Sequence, residues 1–199
     1  MDIQREKMNY DLVIVGAGPS GLSAAINFKK LCNENNLEYS VCIVEKGSEV
    51  GAHILSGAIL EPRALNELIE NWREIQECPV KTPVTEESLK FLTEYKSFNI
   101  PSIFVPPVMH NKGNFIISLG SFCKWLSQQA EALGVEIYPG FAASELLTEN
   151  GKLKGIVTGD LGLTKEGEKG QNFQPGIEIH SKYTLFAEGC RGHLGKKLM

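Results

Sequence analysis

A short apolar run, Val13-Ile14-Val15, stops at Gly16, and apolar residues return after Gly21 at helical spacing: Leu22, Ala25, Ile26, Phe28 and Leu31. The run reads as a strand. The spacing after it predicts a helix that starts at Pro19 or Ser20 and ends near Cys32. A second run, Tyr39-Ser40-Val41-Cys42-Ile43-Val44-Glu45, predicts a strand ending in an acid. Pro62 fits the first turn of a short helix through Leu65, Leu68 and Ile69 to Trp72. Pro79, Pro83, Pro101, Pro106 and Pro107 exclude long helices and central strands from residues 74–113.

Regularity returns at residues 114–118, a strand pattern, followed by a helix over 119–133 with Phe122, Leu126, Ala130 and Leu133 on one face and Gly134 as its stop. Residues 135–138 form a strand pattern at once. This strand-helix-strand order implies a parallel neighbour in the same sheet. Asn150-Gly151, between the runs 144–148 and 153–157, is a type I′ hairpin signal. A Gly/Lys/Glu-rich excursion over 165–170 precedes the last strand, 177–187, so the three strands read as a meander.

The glycine spacing gives the first turn its chemistry. In Gly16-Ala17-Gly18-Pro19-Ser20-Gly21, Gly16 suits the tight turn that ends a strand. Gly18 leaves no Cβ between the backbone and a pyrophosphate, and Gly21 lets the helix lie close on the strand. The anion then rests on free N–H groups at the helix start. Glu45 falls where a ribose-binding carboxylate belongs, with the polar loop 33–36 absorbing the excess spacing. Spacing alone does not separate FAD from NAD. The layout does lean one way, because a pure NAD domain runs βαβαβ without a meander. The reading is therefore an α/β, FAD-binding Rossmann-like fold of the glutathione reductase/flavin hydroxylase type, a parallel sheet with an antiparallel β-meander. It spans residues 1–199 as one FAD-binding domain, incomplete by the resemblance given below, with an inserted irregular segment over about 50–113 that the same resemblance implies is partly membrane-facing.

Composition narrows the setting. A hydrophobic content of 42% is enough for a core, and a net charge of −4 argues against a nucleic-acid surface. Five scattered cysteines, with no C-x-x-C pair, read as reduced thiols and offer no metal or iron–sulfur site. The N-terminus carries both charge signs and lacks the apolar core of a signal peptide, and no apolar stretch is long enough to span a membrane. These features place the chain on the cytoplasmic side.

Two stretches keep two readings each. Residues 46–58 are rich in Gly, Ala and Ser, which suits either close approach to a flat ligand or a flexible surface loop. Their His53 is a weak candidate for proton delivery or a structural loop histidine. Residues 98–109 carry no charge and read either as a buried crossing loop or as a patch for a membrane surface or an apolar ligand.

Laid out this way, the sequence resembles the electron transfer flavoprotein-ubiquinone oxidoreductase family from about Tyr10 to Lys197. The resemblance is carried by residues 16–25, Val44-Glu45-Lys46-Gly47, Val50-Gly51-Ala52-His53, Leu55-Ser56-Gly57-Ala58, residues 62–68, 82–86 and 133–140, and Ala187-Glu188-Gly189-Cys190-Arg191-Gly192-His193-Leu194. It implies FAD held by Gly16, Ala17, Gly18, Pro19, Ser20 and Gly21. Glu45 and Lys46 lie at the adenosine ribose, and Gly51, His53, Ser56 and Gly57 at the flavin ring. Ala142 lies near the adenine, and Glu188 and Gly189 return to the cofactor. It implies electron transfer flavoprotein and ubiquinone as partners, and a peripheral seat on a membrane that the segment 50–71 helps to form. The membrane is the cytoplasmic face of a bacterial inner membrane, or the mitochondrial inner membrane. A 4Fe-4S cluster is expected only from chain beyond Met199, where the family's helix continues. The rivals are an NAD(P)H-dependent flavin hydroxylase or prenyl reductase, a plain NAD-binding dehydrogenase, and a non-catalytic nucleotide-binding fragment.

Overall fold

The computed structural model describes residues 5–54, 56–164 and 168–198. Its elements begin with β1 (Lys7–Val15), α1 (Pro19–Glu34), β2 (Val41–Glu45), β3 (Ala58–Leu60) and α2 (Arg63–Leu68). The irregular stretch holds β4 (Thr82–Pro83), β5 (Leu89–Leu92), β6 (Ser97–Ile100) and β7 (Phe115–Ile117). Then come α3 (Leu119–Ala132), β8 (Val135–Pro139), β9 (Ala143–Glu149), β10 (Lys152–Thr158), β11 (Leu161–Leu163), β12 (Lys169–Gln174), β13 (Glu178–Phe186) and α4 (Gly195–Leu198). The chain divides into two compact units, residues 1–54 with 123–199, and residues 55–122.

The first unit is built on one six-stranded sheet in the order β8-β2-β1-β13-β10-β9. Strands β8, β2, β1 and β13 run parallel, whereas β10 pairs antiparallel with β13 and β9 with β10. This is a Rossmann-type α/β fold with an antiparallel meander, as the element order predicts. Asn150 and Gly151 both take positive φ, 51° and 74°, as a I′ turn requires. On one face Tyr10, Val13, Val15, Cys42, Val44, Ile156, Ile179 and Leu194 form a buried cluster. The alternation slips by one residue between Tyr10 and Val13, where the N–H groups of Asp11 and Leu12 both reach Ser40 O at 3.1 Å. Helix α1 lies against β1 and β8 and buries Leu22, Ala25, Ile26 and Cys32, while Leu31 is exposed.

Midway along β1, Asp11 locks the strand to its neighbours. Its carboxylate pairs with Lys182 Nζ at 2.6 Å and accepts Ser40 N–H and O–H at 2.8 and 2.9 Å. The Lys182 ammonium, then the Ser40 donors, hold the Asp11 pKa down at about 2. A carboxylate depressed in the fold contributes stability above its ordinary value near 4, lost as pH falls through about 2. Asp11→Asn is therefore expected to lower the melting temperature by about 2 °C at pH 7, as suits an exposed pair. The gap closes as pH approaches 2, and a gap independent of pH would remove this assignment.

The second unit holds a three-stranded sheet, β3-β7-β4, antiparallel throughout, and the β5–β6 hairpin. Here one expectation fails. The 115–117 strand does not sit beside β8 in a parallel crossover but pairs with β3 and β4, and the parallel neighbour of β8 is β2. The short helix also stops at Leu68, and Trp72 begins a separate 3₁₀ turn. Leu65, Ile69 and Trp72 are buried, Trp72 edge-on to Phe115 at 5.5 Å and hydrogen-bonded through Nε1 to Asn66 at 2.9 Å. Leu65, Ile69 and Trp72 thus face inward, while Ile59 of the preceding strand is exposed. The uncharged run 98–109 is not a buried crossing loop either, because Phe98, Ile103, Phe104, Val108 and Met109 are all exposed. The excursion over 165–170 falls partly outside the described residues, and its flanks pair as the β11–β12 ribbon. Among the described residues no helix is long and apolar enough to cross a membrane.

Candidate functional site

Parallel strands align their carboxyl ends, and the register sets Val15 beside Val44 and Phe186, with Glu45 beside Pro139. The loops leaving that edge are where ligands meet such sheets. Three backbone bonds knit them together: Gly16 N–H to Val44 O at 2.8 Å, Ala187 N–H to Val15 O at 2.9 Å, and Gly140 N–H to Gly47 O at 2.7 Å.

Gly16 sits at φ +107°, and a Cβ there would lie 2.5 Å from Ala187 O. At Gly21 a Cβ would lie 2.1 Å from Gly16 O and 3.2 Å from Ile14. Both glycines are thus dictated by close backbone packing. Gly18 differs, because a Cβ there would meet nothing within 4 Å. It is the N-cap of α1, with no side-chain cap, and Pro19 fills the position where an N–H would be idle. Leu22 N–H closes the first helical bond on Gly18 O at 3.0 Å, which leaves the N–H groups before it pointing off the helix end. The result is an open cradle with positive backbone polarity, sized for a phosphate group.

Glu45 is fixed beside this cradle. Its Oε2 accepts Ala17 N–H at 2.9 Å and its Oε1 accepts Gly47 N–H at 2.8 Å. Each oxygen keeps one lone pair, so the carboxylate can still accept two hydroxyl groups side by side, the pattern of a ribose 2′,3′-diol. These features fit a bound adenine dinucleotide. Cys123 lies near enough to feel the Glu45 charge, and burial first, then that charge, pushes its thiol up to about 11. It is a packing residue, not a nucleophile.

The structure thus brings together Gly16, Ala17, Gly18, Pro19, Ser20, Gly21 and Glu45, with Lys46 exposed next to them. Ala142 is exposed just beyond β8, and its carbonyl accepts Gly159 N–H at 2.8 Å. His53 is solvent-exposed, and Gly51 takes a positive φ of 90°. Ser56 and Gly57 belong to the second unit and are exposed, and Leu55 lies outside the described residues. Glu188 turns its carboxylate onto its own turn, accepting N–H groups of His193, Leu194 and Gly195. Sequence reasoning quoted Gly47, Gly140 and Ala187 only as carriers of the resemblance and gave them no part in the site. For the first two a glycine beside a strand end was the available signal, and Ala187 acts through its carbonyl, which carries none.

The second unit has its own pocket of about 380 Å³, lined by Glu87, Leu89, Asn99, Val105, Met109 and His110 among others. His110 Nδ1 lies 2.7 Å from Glu87 Oε1, and Asn111 N–H donates to Oε2 at 2.6 Å. The His110 bond, then the Asn111 N–H, lowers the Glu87 pKa. Among the described residues no cluster of His, Cys, Asp and Glu forms a metal site.

Residues 14–69 match the family described as NAD(P)-binding Rossmann-like domain. The chain is 60% identical over 99% of its length to the electron transfer flavoprotein-ubiquinone oxidoreductase of Pseudomonas aeruginosa, covering 36% of that protein. It is equally identical to a probable electron transfer flavoprotein-ubiquinone oxidoreductase of Acinetobacter baylyi, covering 35%. The mitochondrial protein of that name from Bos taurus is 49% identical over the whole chain, which covers 32% of it. The chain thus spans about a third of the length of these relatives. Among solved structures it is similar in fold to a myxobacterial chondrochloren halogenase, of the FAD-dependent halogenases, with TM-score 0.60, 16% identity, and 94% of this chain and 38% of that one covered. A geranylgeranyl bacteriochlorophyll reductase-like protein from Thermoplasma acidophilum gives TM-score 0.55 at 19% identity, covering 92% of this chain and 40% of its own.

Proposed function

We propose that this chain is the FAD-binding portion of an oxidoreductase that passes electrons from reduced electron transfer flavoprotein to ubiquinone at a membrane surface. The observation that carries the reading is the 60% identity over 99% of the chain to proteins of that name, on a fold whose cradle suits a dinucleotide. When bound, FAD supplies the redox chemistry, and the protein supplies position and electrostatics.

The geometry supports a part for the chain's own residues in this reading. The turn from Gly16 to Gly21 offers backbone N–H groups to the pyrophosphate, and the dipole of α1 adds to their pull. Glu45, held by Ala17 and Gly47, orients the adenosine ribose. We assign Lys46 and Ala142 to the adenosine end on the resemblance. We assign Gly51, His53, Ser56 and Gly57 to the ring end on the resemblance alone. A 4Fe-4S cluster belongs, in this reading, to the remainder of the protein. The partners are electron transfer flavoprotein, ubiquinone and a peripheral membrane surface, in this reading the cytoplasmic face of a bacterial inner membrane or the mitochondrial inner membrane.

The complete gene product is expected to purify yellow and to reduce ubiquinone with reduced electron transfer flavoprotein as donor. Consumption of NADPH in place of that donor would transfer the reading to a hydroxylase or prenyl reductase. Glu45→Ala removes both ribose-facing acceptors and frees two backbone donors, so FAD affinity should fall about a hundredfold. Equal flavin content in variant and parent on purification would dismiss the ribose role.

A further inference from the structure

We infer that Glu188 is a positioning residue, whose carboxylate gathers the backbone of residues 193–195 around itself and so sets the turn that follows β13 beside the glycine cradle. The chain leaves the sheet there under tight constraint. Ala187 donates to Val15 O, and its own carbonyl fills the space in front of Gly16. One residue later, Glu188 Oε1 accepts the N–H groups of His193 and Leu194, both at 3.0 Å, and Oε2 accepts that of Gly195 at 2.8 Å.

These three donors would otherwise be orphans at the start of α4, and Leu194 between them is fully buried in the core cluster. The glycines on either side make room for the carboxylate. A Cβ on Gly192 would lie 3.1 Å from both Glu188 Cβ and Oε2, and one on Gly195 would lie 3.4 Å from Oε2. Burial raises the Glu188 pKa, but the three backbone bonds outweigh it and hold the group below the usual carboxylate range, so it works as an anion. Both Oε1 lone pairs and one of the two on Oε2 are spent on the side chain's own turn, so three of its four acceptor positions shape that backbone.

This inference rests on the dinucleotide reading for its binding readout only, since amide exchange tests it in the absence of any ligand. In the complete gene product, Glu188→Ala should accelerate amide hydrogen exchange at residues 193–195, and weaken FAD binding about tenfold. Glu188→Gln, which keeps one accepting oxygen of two, should fall between parent and Glu188→Ala in both measurements and stays interpretable if the alanine variant misfolds.

Gly192→Ala should loosen the same amides by crowding the carboxylate. In the Glu188→Ala background the contact with Oε2 is gone and only that with Cβ at 3.1 Å remains, so the added methyl should cost less and the pair is less than additive. Weaker FAD binding with unchanged exchange in Glu188→Ala and Glu188→Gln would make Glu188 a direct ligand and overturn the inference, as would additive effects in the double variant. Faster exchange at 193–195 in Glu188→Ala than in a parent protein that itself takes up no FAD at any concentration would retain the positioning role while removing the dinucleotide reading.

Discussion

Gly21→Ala is expected to yield a colourless, destabilised protein. A methyl at this position would lie 2.1 Å from Gly16 O, and both partners are backbone, so no rotamer change relieves the clash. The start of α1 must lift off β1 by an ångström or more, which opens the contact with Ile14 and tilts the N–H groups of the cradle. Overpacking of this kind costs about 3 kcal/mol. Loss of alignment at the pyrophosphate should cut FAD affinity by about a thousandfold or more.

Gly18→Ala separates the two effects. Gly18 holds φ −79° and ψ 179°, which alanine adopts without strain, and its Cβ would meet no protein atom within 4 Å. The apo protein should melt at the parent's temperature while FAD binding is lost, because the methyl would stand where the proposed cradle takes the phosphates. Differential scanning calorimetry with flavin absorbance on both variants checks the pair. Full flavin retention in Gly18→Ala would mean that the open side of the turn is not the phosphate site.

The contrast between these glycines explains how much of the site was readable from residue types. A turn that joins one strand to the next helix is a local object, so Gly16, Gly18 and Gly21 carry its geometry in their spacing alone. The same holds for Asn150-Gly151 and for Gly134 at the end of α3. Glu45 was readable as well, because a strand ending in an acid is local. Its clamp by Ala17 and Gly47 was not, because those donors are backbone.

Elsewhere the information lies in distant pairings. Residues 115–117 have the composition of a strand, but which sheet they join depends on residues 58–60 and 82–83, and strands of two or three residues leave no periodicity to read. Leu65, Ile69 and Trp72 show an apolar side at helical spacing without saying whether it meets protein or lipid. The structure answers through Phe115 and Asn66. At Glu188 the acid sits at the expected strand end, and only the fold reveals that its oxygens face forward along the chain. Gly192 and Gly195, four and seven residues on, were the available hint.

Placing aspartate at Phe104 is expected to release the complete gene product from membranes. The segment joining β6 to β7 exposes Ile103 by 84%, Phe104 by 75% and Val108 by 93%, and residues 98–109 contain no charge that would oppose entry into lipid. Large apolar side chains held out by short, proline-pinned 3₁₀ turns, with no helix among the described residues able to span a membrane, would suit the peripheral membrane seat proposed above. Burying one such side chain is worth about 2 kcal/mol, and a carboxylate in its place adds a desolvation cost of similar size. Partitioning onto vesicles should therefore fall about a hundredfold or more for Phe104→Asp, and by a similar factor for Val108→Asp. Flavin content should stay at the parent's level, since neither residue belongs to the unit that holds the cradle. Vesicle co-sedimentation reads the first quantity and absorbance the second. Undiminished sedimentation in both variants would reject the membrane face. Precipitation of both in place of release would mean that protein from the rest of the chain covers these side chains.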